Sequence, residues 1–188
     1  MCVYYRLDAR YDFAAHGVEG VALDESPDVD VPWTMGIRYP DPVQEPIPCY
    51  LDPRSGPVMP DLIIDVPLFS QRLIEVLKGA GVRNLDLYDA EVIDREREKT
   101  YSHYKAVNIV GLVSCADLPR SEYLPGYKPP LMKFTKLRVD ESRTLGLPLF
   151  RLAEDSLVIL VSEAVKQAVE AAKLVGVRVV SLEEPSAY

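Results

Sequence analysis

The sequence predicts an α+β fold with a mixed or antiparallel sheet, two main helices and an irregular N-terminal region. Three observations carry this prediction. Apolar residues recur at helical spacing in two segments, at about 70–80 and 162–175. Short segments rich in β-branched and aromatic residues lie beside both helices. Ten of the sixteen prolines fall within residues 1–67, where they oppose helices and central strands.

The N-terminal region opens with a strand and then loses regular structure. Residues 3–7 read Val-Tyr-Tyr-Arg-Leu, which is typical of a strand. From Pro27 to Pro60 the prolines predict turns and short edge strands. Trp33 lies in this polar stretch, and a tryptophan usually buries its ring. We therefore expect Trp33 to anchor the loop to the core.

The first helix is predicted directly behind Ser70, a residue type that is favoured at helix N-caps. Glycines at 79 and 81 supply its C-terminal stop. Residues 85–93 and 104–114 then read as the two strands of a hairpin. The linker between them alternates in charge sign and indicates a solvated tip. The predicted apolar face of the helix is Leu73, Ile74, Leu77 and Ala80.

The second helix follows the same logic. A strand over residues 157–161 leads to Ser162 as the predicted cap, and Gly176 is the predicted stop before a last strand at 177–180. The order of strand, capped helix, glycine and strand therefore occurs twice. Many α/β proteins reach this order by convergence, so two copies do not establish a repeat.

The length of 188 residues predicts one domain. Within it, residues 1–67 form an acidic, proline-rich part. Residues 68–188 form a core of helix, hairpin and strand–helix–strand.

The net charge of −8 comes entirely from the first third of the chain. Residues 1–65 carry twelve acids and four bases, whereas residues 66–188 carry seventeen of each. This polarity opposes direct binding of nucleic acid, because phosphate binding needs a basic patch. It favours a basic protein partner. On charge alone, acids that merely keep the chain soluble remain an alternative.

Residues suited to catalysis are few. His16 and His103 lie far apart, and neither has a neighbour at metal-ligand spacing. A nucleophile pair of Cys115 with His103 requires the fold to bring them together, and Cys115 ends a predicted strand, where a buried inert thiol is commoner. The sequence therefore predicts no catalytic residue, no cofactor and no metal.

The cysteines and the N-terminus indicate a compartment. Cys2, Cys49 and Cys115 are odd in number and widely spaced, which fits reduced thiols rather than a disulfide framework. The first eight residues lack both the basic stretch and the apolar run of a signal peptide. No segment is long and apolar enough to cross a bilayer. We expect a cytoplasmic protein that does not bind membranes.

A series of short motifs resembles one known family. The motifs are Tyr4-Tyr5-Arg6-Leu7, Trp33-x-x-Gly36, Pro60-Asp61-Leu62, Leu68-Phe69-Ser70, Tyr104 to Gly111, Cys115-Ala116-Asp117 with Ser121, Leu149-Phe150-Arg151-Leu152, Val161-Ser162-Glu163 and Gly176-Val177. Their order and spacing resemble the myxobacterial-type immunity family of bacterial polymorphic-toxin systems, formerly a domain of unknown function. The resemblance covers nearly the whole chain. The proline-rich stretch from Pro40 to Pro60 departs from it.

The resemblance implies a protein that binds and neutralises a cognate toxin encoded nearby, with no catalytic residues of its own. Many such toxins act on nucleic acids or nucleotides and have basic clefts, which an acidic inhibitor can occlude. The predicted toxin-binding residues are Asp24, Glu25, Asp28, Asp30, Trp33, Tyr39, Asp41, Glu45 and Tyr50. The oligomeric state stays open between monomer and homodimer. Two other functions also stay open: a small enzyme with a pocket of dispersed residues, and a scaffold protein.

Overall fold

The computed structural model describes residues 3–9, 22–24, 27, 29–64 and 66–185. In these residues the helices are α1 (Gln71–Gly79) and α2 (Glu163–Ala172). The strands are β1 (Tyr4–Ala9), β2 (Ile47–Tyr50), β3 (Leu62–Ile63), β4 (Leu68–Ser70), β5 (Leu85–Asp94), β6 (Lys99–Ile109), β7 (Leu112–Val113), β8 (Glu122–Tyr123), β9 (Phe134–Lys136), β10 (Leu149–Leu152), β11 (Ile159–Ser162) and β12 (Val177–Val180). The α+β prediction is confirmed, with sheet dominating helix.

Ten of these strands form two five-stranded sheets. Sheet 1 has the order β12-β1-β11-β10-β7, and sheet 2 has the order β2-β5-β6-β4-β3. In both sheets the strands are mostly antiparallel, and each sheet has one parallel pair at an edge, β10 with β7 and β2 with β5. The other two strands, β8 and β9, pair with each other. The N-terminal region thus contributes β1 to sheet 1 and β2 to sheet 2.

The two sheets share a topology. In β3–β4–α1–β5 an antiparallel pair leads into a helix, and β5 returns two places from β4 with β6 between them. In β10–β11–α2–β12 the same path occurs, and β1 fills the gap between β11 and β12. The repeated strand–helix–strand order of the sequence therefore corresponds to a repeated topology. The units differ in the source of the inserted strand, and the fifth strands join non-equivalent edges, β2 beside β5 and β7 beside β10.

The helices pack against each other and against one face of each sheet. This central core consists mainly of Leu7, Leu62, Phe69, Leu73, Ile74, Leu77, Val107, Ile109, Leu149, Ile159, Val161, Val165 and Val169. The opposite face of sheet 1 is covered by residues 115–139, and the opposite face of sheet 2 by residues 23–59. Each sheet is thus buried on both faces, which accounts for its apolar side chains on both sides.

α1 begins as predicted at Ser70. The Ser70 hydroxyl accepts a hydrogen bond from the Leu73 amide (3.1 Å) and donates one to Asp61 Oδ1 (2.5 Å). The other carboxylate oxygen of Asp61 accepts from the Val175 amide at 2.7 Å. The buried Asp61 carboxylate therefore ties the start of α1 to the chain that follows α2.

α2 differs from its prediction at both ends. Ser162 occupies the N-cap position, but its side chain makes no capping hydrogen bond. The helix ends at Ala172 because Lys173 adopts a left-handed conformation with φ of 50°. Gly176, the predicted stop, comes three residues later. Ser162 thus holds the predicted cap position without the predicted capping bond, and the glycine stop was wrong because the chain turns at Lys173 before it reaches the glycine.

This difference gives a matched pair of substitutions. Ser70→Ala should cost about 2 kcal/mol of unfolding free energy, because it removes a helix cap and leaves Oδ1 of the buried Asp61 carboxylate without the hydroxyl donor. Ser162→Ala should change it by less than about 0.5 kcal/mol, since no capping bond is lost. Urea denaturation with a shared m-value measures both, and equal losses would contradict this assignment.

The predicted second strand of the hairpin is divided between the sheets. β6 runs in sheet 2 to Ile109, and after Gly111, which has φ of 137°, the chain enters sheet 1 as β7. The hairpin tip is also shorter than predicted, at residues 95–98. Sequence alternation shows strand character but cannot show which sheet a strand joins. We call residues 108–112 the crossing segment, because here the chain passes from one sheet to the other.

Candidate partner-binding surface

One loop of the N-terminal region, residues 33–37, is fixed to the crossing segment. The Gly111 amide donates to the Gly36 carbonyl at 2.8 Å, and Asn108 Nδ2 donates to the Ile37 carbonyl at 2.7 Å. Gly36 has φ of +63°, and a Cβ at this position would lie 2.8 Å from the Gly111 carbonyl carbon. Only glycine permits this backbone conformation together with so close an approach. The loop therefore has one well-defined position.

The crossing segment is also held by Asn84, which directly precedes β5, and by Arg151 of β10. Asn84 Nδ2 donates to the carbonyls of Val110 (2.7 Å) and Leu149 (2.9 Å). The Arg151 amide donates to the Gly111 carbonyl at 2.9 Å. The Trp-x-x-Gly, Val-Asn and Leu-Phe-Arg motifs, which are far apart in the sequence, thus meet at one place. The side chains of Asn84 and Asn108 bond backbone carbonyls at this junction, so the role of these two residues here is structural.

Three apolar side chains lie exposed at this junction. Met35 is 47% exposed, Ile37 is 55% exposed and Leu112 is 36% exposed. A Cβ at Gly36 would lie 2.8 Å from the Leu112 Cβ. Leu112 is therefore next to Gly36, which stands between Met35 and Ile37 in the chain. We call Met35, Ile37 and Leu112 the apolar patch. Sequence reasoning missed it, because Leu112 reads as a residue of a buried strand.

Acidic residues gather around Tyr39, which lies two residues after this loop. Its pKa is raised above the ordinary tyrosine value by partial burial and by the nearby carboxylates of Asp30 and Asp41. Both aspartates are exposed. Three of the predicted toxin-binding residues are therefore neighbours.

Tyr88 on β5 extends this group. Its pKa is raised by burial and then by the Asp86 and Glu45 carboxylates, while Arg38 acts in the opposite direction. Arg38 pairs with Asp86 at 3.2 Å. The Tyr88 ring also meets Trp33 edge-on, with ring centroids 5.9 Å apart. Trp33 thus packs on sheet 2 as the sequence predicted.

Glu45 joins a further carboxylate to the group. It accepts a hydrogen bond from the Asp89 amide, and the Asp89 side chain pairs with Lys105. We call the five carboxylates the acidic surface; they are Asp30, Asp41, Glu45, Asp86 and Asp89. Two cations, Arg38 and Lys105, pair with members of the group, so an excess of three negative charges remains.

The remaining predicted residues lie elsewhere or are neutralised. The Asp24 amide bonds the Tyr50 carbonyl at 2.9 Å, and Arg95 covers the Tyr50 ring at 3.9 Å from its centroid. Arg54, which pairs with Asp52 at 2.6 Å, also attracts Asp24, so positive charge offsets these acids. The predicted surface therefore divides into two groups. Glu25 and Asp28 lie outside the described residues.

The structure does not bring Cys115 and His103 together as a nucleophile and its base. Cys115 is fully buried under sheet 1, and burial raises its pKa to about 12. His103 is exposed on β6 in sheet 2. No group of three or more His, Cys, Asp or Glu side chains arranged to hold a metal ion occurs in the described part of the chain.

The surface of the described residues includes open hollows. One of about 380 Å³ lies past α1 and is lined by Lys78, Gly79, Val82, Arg83 and Leu85. Another of about 300 Å³ is lined by residues 116–119, Asp140 and Arg143. The residues that line these two hollows include no pair of a nucleophile and a base. Neither α1 nor α2 is long or apolar enough to cross a membrane.

The buried thiols make a direct prediction. At pH 8 iodoacetamide should label neither Cys49 nor Cys115 in the folded protein, because burial raises their pKa values to about 11 and about 12. A thiol with a pKa near 12 is ionised in about one molecule in ten thousand at this pH. Peptide mass spectrometry should find both labelled only after unfolding in urea. Rapid labelling of native Cys115 would show a reactive thiol and would reopen the enzyme alternative.

The described residues define an α+β protein, mostly sheet, that displays an acidic surface beside exposed apolar side chains. The model of the immunity protein family (Imm11) matches residues 4–183, nearly the whole chain. The chain therefore belongs to this family, and the resemblance read from the sequence is confirmed. A comparison with curated proteins found no match.

Proposed function

We propose that this chain is the immunity protein of a polymorphic-toxin system. It binds a cognate toxin encoded beside it and neutralises the toxin by covering its active cleft. Membership of the immunity family carries this proposal. In this function the chain acts as a stoichiometric inhibitor in the cytoplasm and catalyses no reaction.

The acidic surface supports a basic toxin as the partner. Its five carboxylates outnumber the two paired cations, and the group lies next to exposed apolar side chains. An excess of negative charge attracts a cleft that binds nucleic acid or nucleotides, and it accelerates encounter with that cleft. The group around Asp24 and Tyr50 has its charge offset by arginines and contributes less to this attraction.

Titration of toxin activity separates an inhibitor from an enzyme. The toxin gene next to this chain is expressed, its product is purified, and its activity is measured against rising amounts of this chain. We expect activity to vanish at about one chain per toxin, with a complex of both proteins on size-exclusion chromatography. Loss of activity at far lower ratios would indicate a catalytic antagonist. Full activity at excess chain would overturn the proposed function.

Growth gives the matching test in cells. A bacterial host that makes the toxin should stop growing, and co-expression of this chain should restore growth. Restoration should need chain levels at least equal to those of the toxin, because occlusion consumes one chain for each toxin. A scaffold protein without inhibitory activity would leave growth arrested.

A further inference from the structure

We propose that the apolar patch of Met35, Ile37 and Leu112 is the centre of the toxin interface. The patch binds an apolar side chain of the toxin, and lysine and arginine residues of the toxin surround that side chain. This inference rests on the proposed function and adds the residues that hold the complex together. The acidic surface then forms the rim.

The patch is held in position before any partner arrives. The Gly36 carbonyl and the Ile37 carbonyl both accept hydrogen bonds from the crossing segment, at 2.8 and 2.7 Å. The donor side chain for Ile37, Asn108, is fully buried. Binding through a loop already fixed in this way loses little conformational entropy, so more of the contact energy appears as affinity.

The charges around the patch define the chemistry of its occupant. Arg38 follows Ile37 directly and pairs with Asp86 at 3.2 Å, which places the acidic surface next to the patch. Tyr39 continues the same segment toward Asp30 and Asp41. An apolar centre with a negative rim complements an apolar centre with a positive rim. Hot spots in protein interfaces have this arrangement, with a dry centre and a polar surround.

The same charges argue against a second copy of this chain as the occupant. Self-association through the patch brings two acidic surfaces together, and like charges at close range oppose binding.

Another set of exposed apolar residues is less suited to a basic toxin. The arm formed by residues 122–136 exposes Tyr123, Leu124, Tyr127 and Leu131. Its charged residues are one glutamate and three lysines, at 122, 128, 133 and 136. A net positive arm repels a basic cleft, so we assign the toxin contact to the patch. The arm then provides matched control positions, with similar exposure and no role in binding.

Binding kinetics with the purified, catalytically inactivated toxin and the full chain test this assignment. Met35→Ser and Ile37→Ser should each increase the dissociation rate about thirtyfold or more, as expected for hot-spot residues, and should leave association within about threefold. Leu124→Ser and Tyr127→Ser should leave both rates unchanged. Ile37→Val should retain most of the affinity. Thermal unfolding of each variant should match the parent, because these side chains are exposed.

Each alternative result has a definite reading. If the parent chain inhibits the toxin but the patch variants dissociate no faster, the patch assignment is wrong and the proposed function stands. If the arm variants accelerate dissociation instead, the interface lies on the arm. If sedimentation shows a dimer of this chain that Ile37→Ser dissociates, the occupant is a second copy. If the parent chain neither binds nor inhibits the toxin, the proposed function fails first.

Discussion

Replacing Asp30, Asp41 and Glu45 by Asn, Asn and Gln should slow association with a basic toxin about tenfold or more. These acids are exposed and belong to the group with excess negative charge. Glu45→Gln keeps the oxygen that accepts from the Asp89 amide, so the backbone contact survives. The effect should fall on association, because rim charges act mainly during approach.

Salt provides the second measure of the same effect. Attraction between exposed charges is screened beyond about 8 Å at physiological ionic strength. Association of the parent chain should therefore slow steeply as salt rises, and association of the triple variant should depend on salt much less. Stopped-flow mixing at several ionic strengths measures both slopes.

The control removes the same charge from another side of the molecule. Glu122, Glu141 and Glu183 are exposed, and they lie within or beside the segment that covers the outer face of sheet 1. Changing all three to Gln should leave association nearly unchanged. The hairpin tip is unsuited to this purpose, because Asp94 is buried and bonds Arg97. Equal slowing in both triple variants would mean that only net charge matters and that the acidic surface has no special role.

Gly36→Ala should cost about 3 kcal/mol or more of unfolding free energy and should weaken toxin binding. The new methyl group would meet the backbone of the crossing segment, with the Leu112 nitrogen at 2.7 Å. Backbone at this distance cannot yield as a flexible side chain can, so the loop must move away. Its hydrogen bond from Gly111 is then lost, and Met35 and Ile37 change position. Urea denaturation and binding kinetics measure the two consequences.

Gly146→Ala is the matched control for this substitution. Gly146 has φ of +66°, close to the +63° of Gly36, but nothing lies within 4 Å of its Cβ position. It should therefore show only the cost of placing alanine in a left-handed conformation, about 1–2 kcal/mol. The difference between the two variants isolates the close approach. If both cost the same, the loop is not clamped as described.

Local sequence signals were sufficient to predict the two helices, because helices depend mainly on interactions between residues close in sequence. Helical spacing and Ser70 placed α1 to within one residue of its observed start. The same signals at α2 gave the helix but not its cap, because φ and ψ of Ser162 fit a cap while its hydroxyl makes no bond to the helix. N-cap propensity predicts which residue occupies the cap position. Whether its side chain makes the capping hydrogen bond depends on the rotamer that the surrounding residues select.

Long-range pairing lay beyond sequence reasoning. Nothing in the strand at residues 3–7 indicates that it pairs with residues 159–162 and 177–180. Long-range pairing also explains why the predicted acids divide into two groups. Arg95 reaches Tyr50, in the group whose charge is offset, only because β2 pairs with β5. The charge count locates the excess of acids in the first third of the chain. Which acids keep their charge uncompensated depends on neighbours that only the fold supplies.

The inserted strand is β6 in one repeated unit and β1 in the other. Because β6 is close in sequence to its unit and β1 is far from its own, the two units should fold at different times during synthesis. On the ribosome, β3 to β6 with α1 emerge as one continuous stretch, residues 62–109, so this unit can assemble while synthesis continues. The other unit must wait, because β1 emerges early and its partner β12 emerges late, with Arg6 opposite Val180. Contacts between such distant residues form slowly. If this chain neutralises a toxin as proposed, a cell that makes both proteins is protected only after the late strand has paired with the early one, so synthesis of this chain ahead of the toxin is favoured.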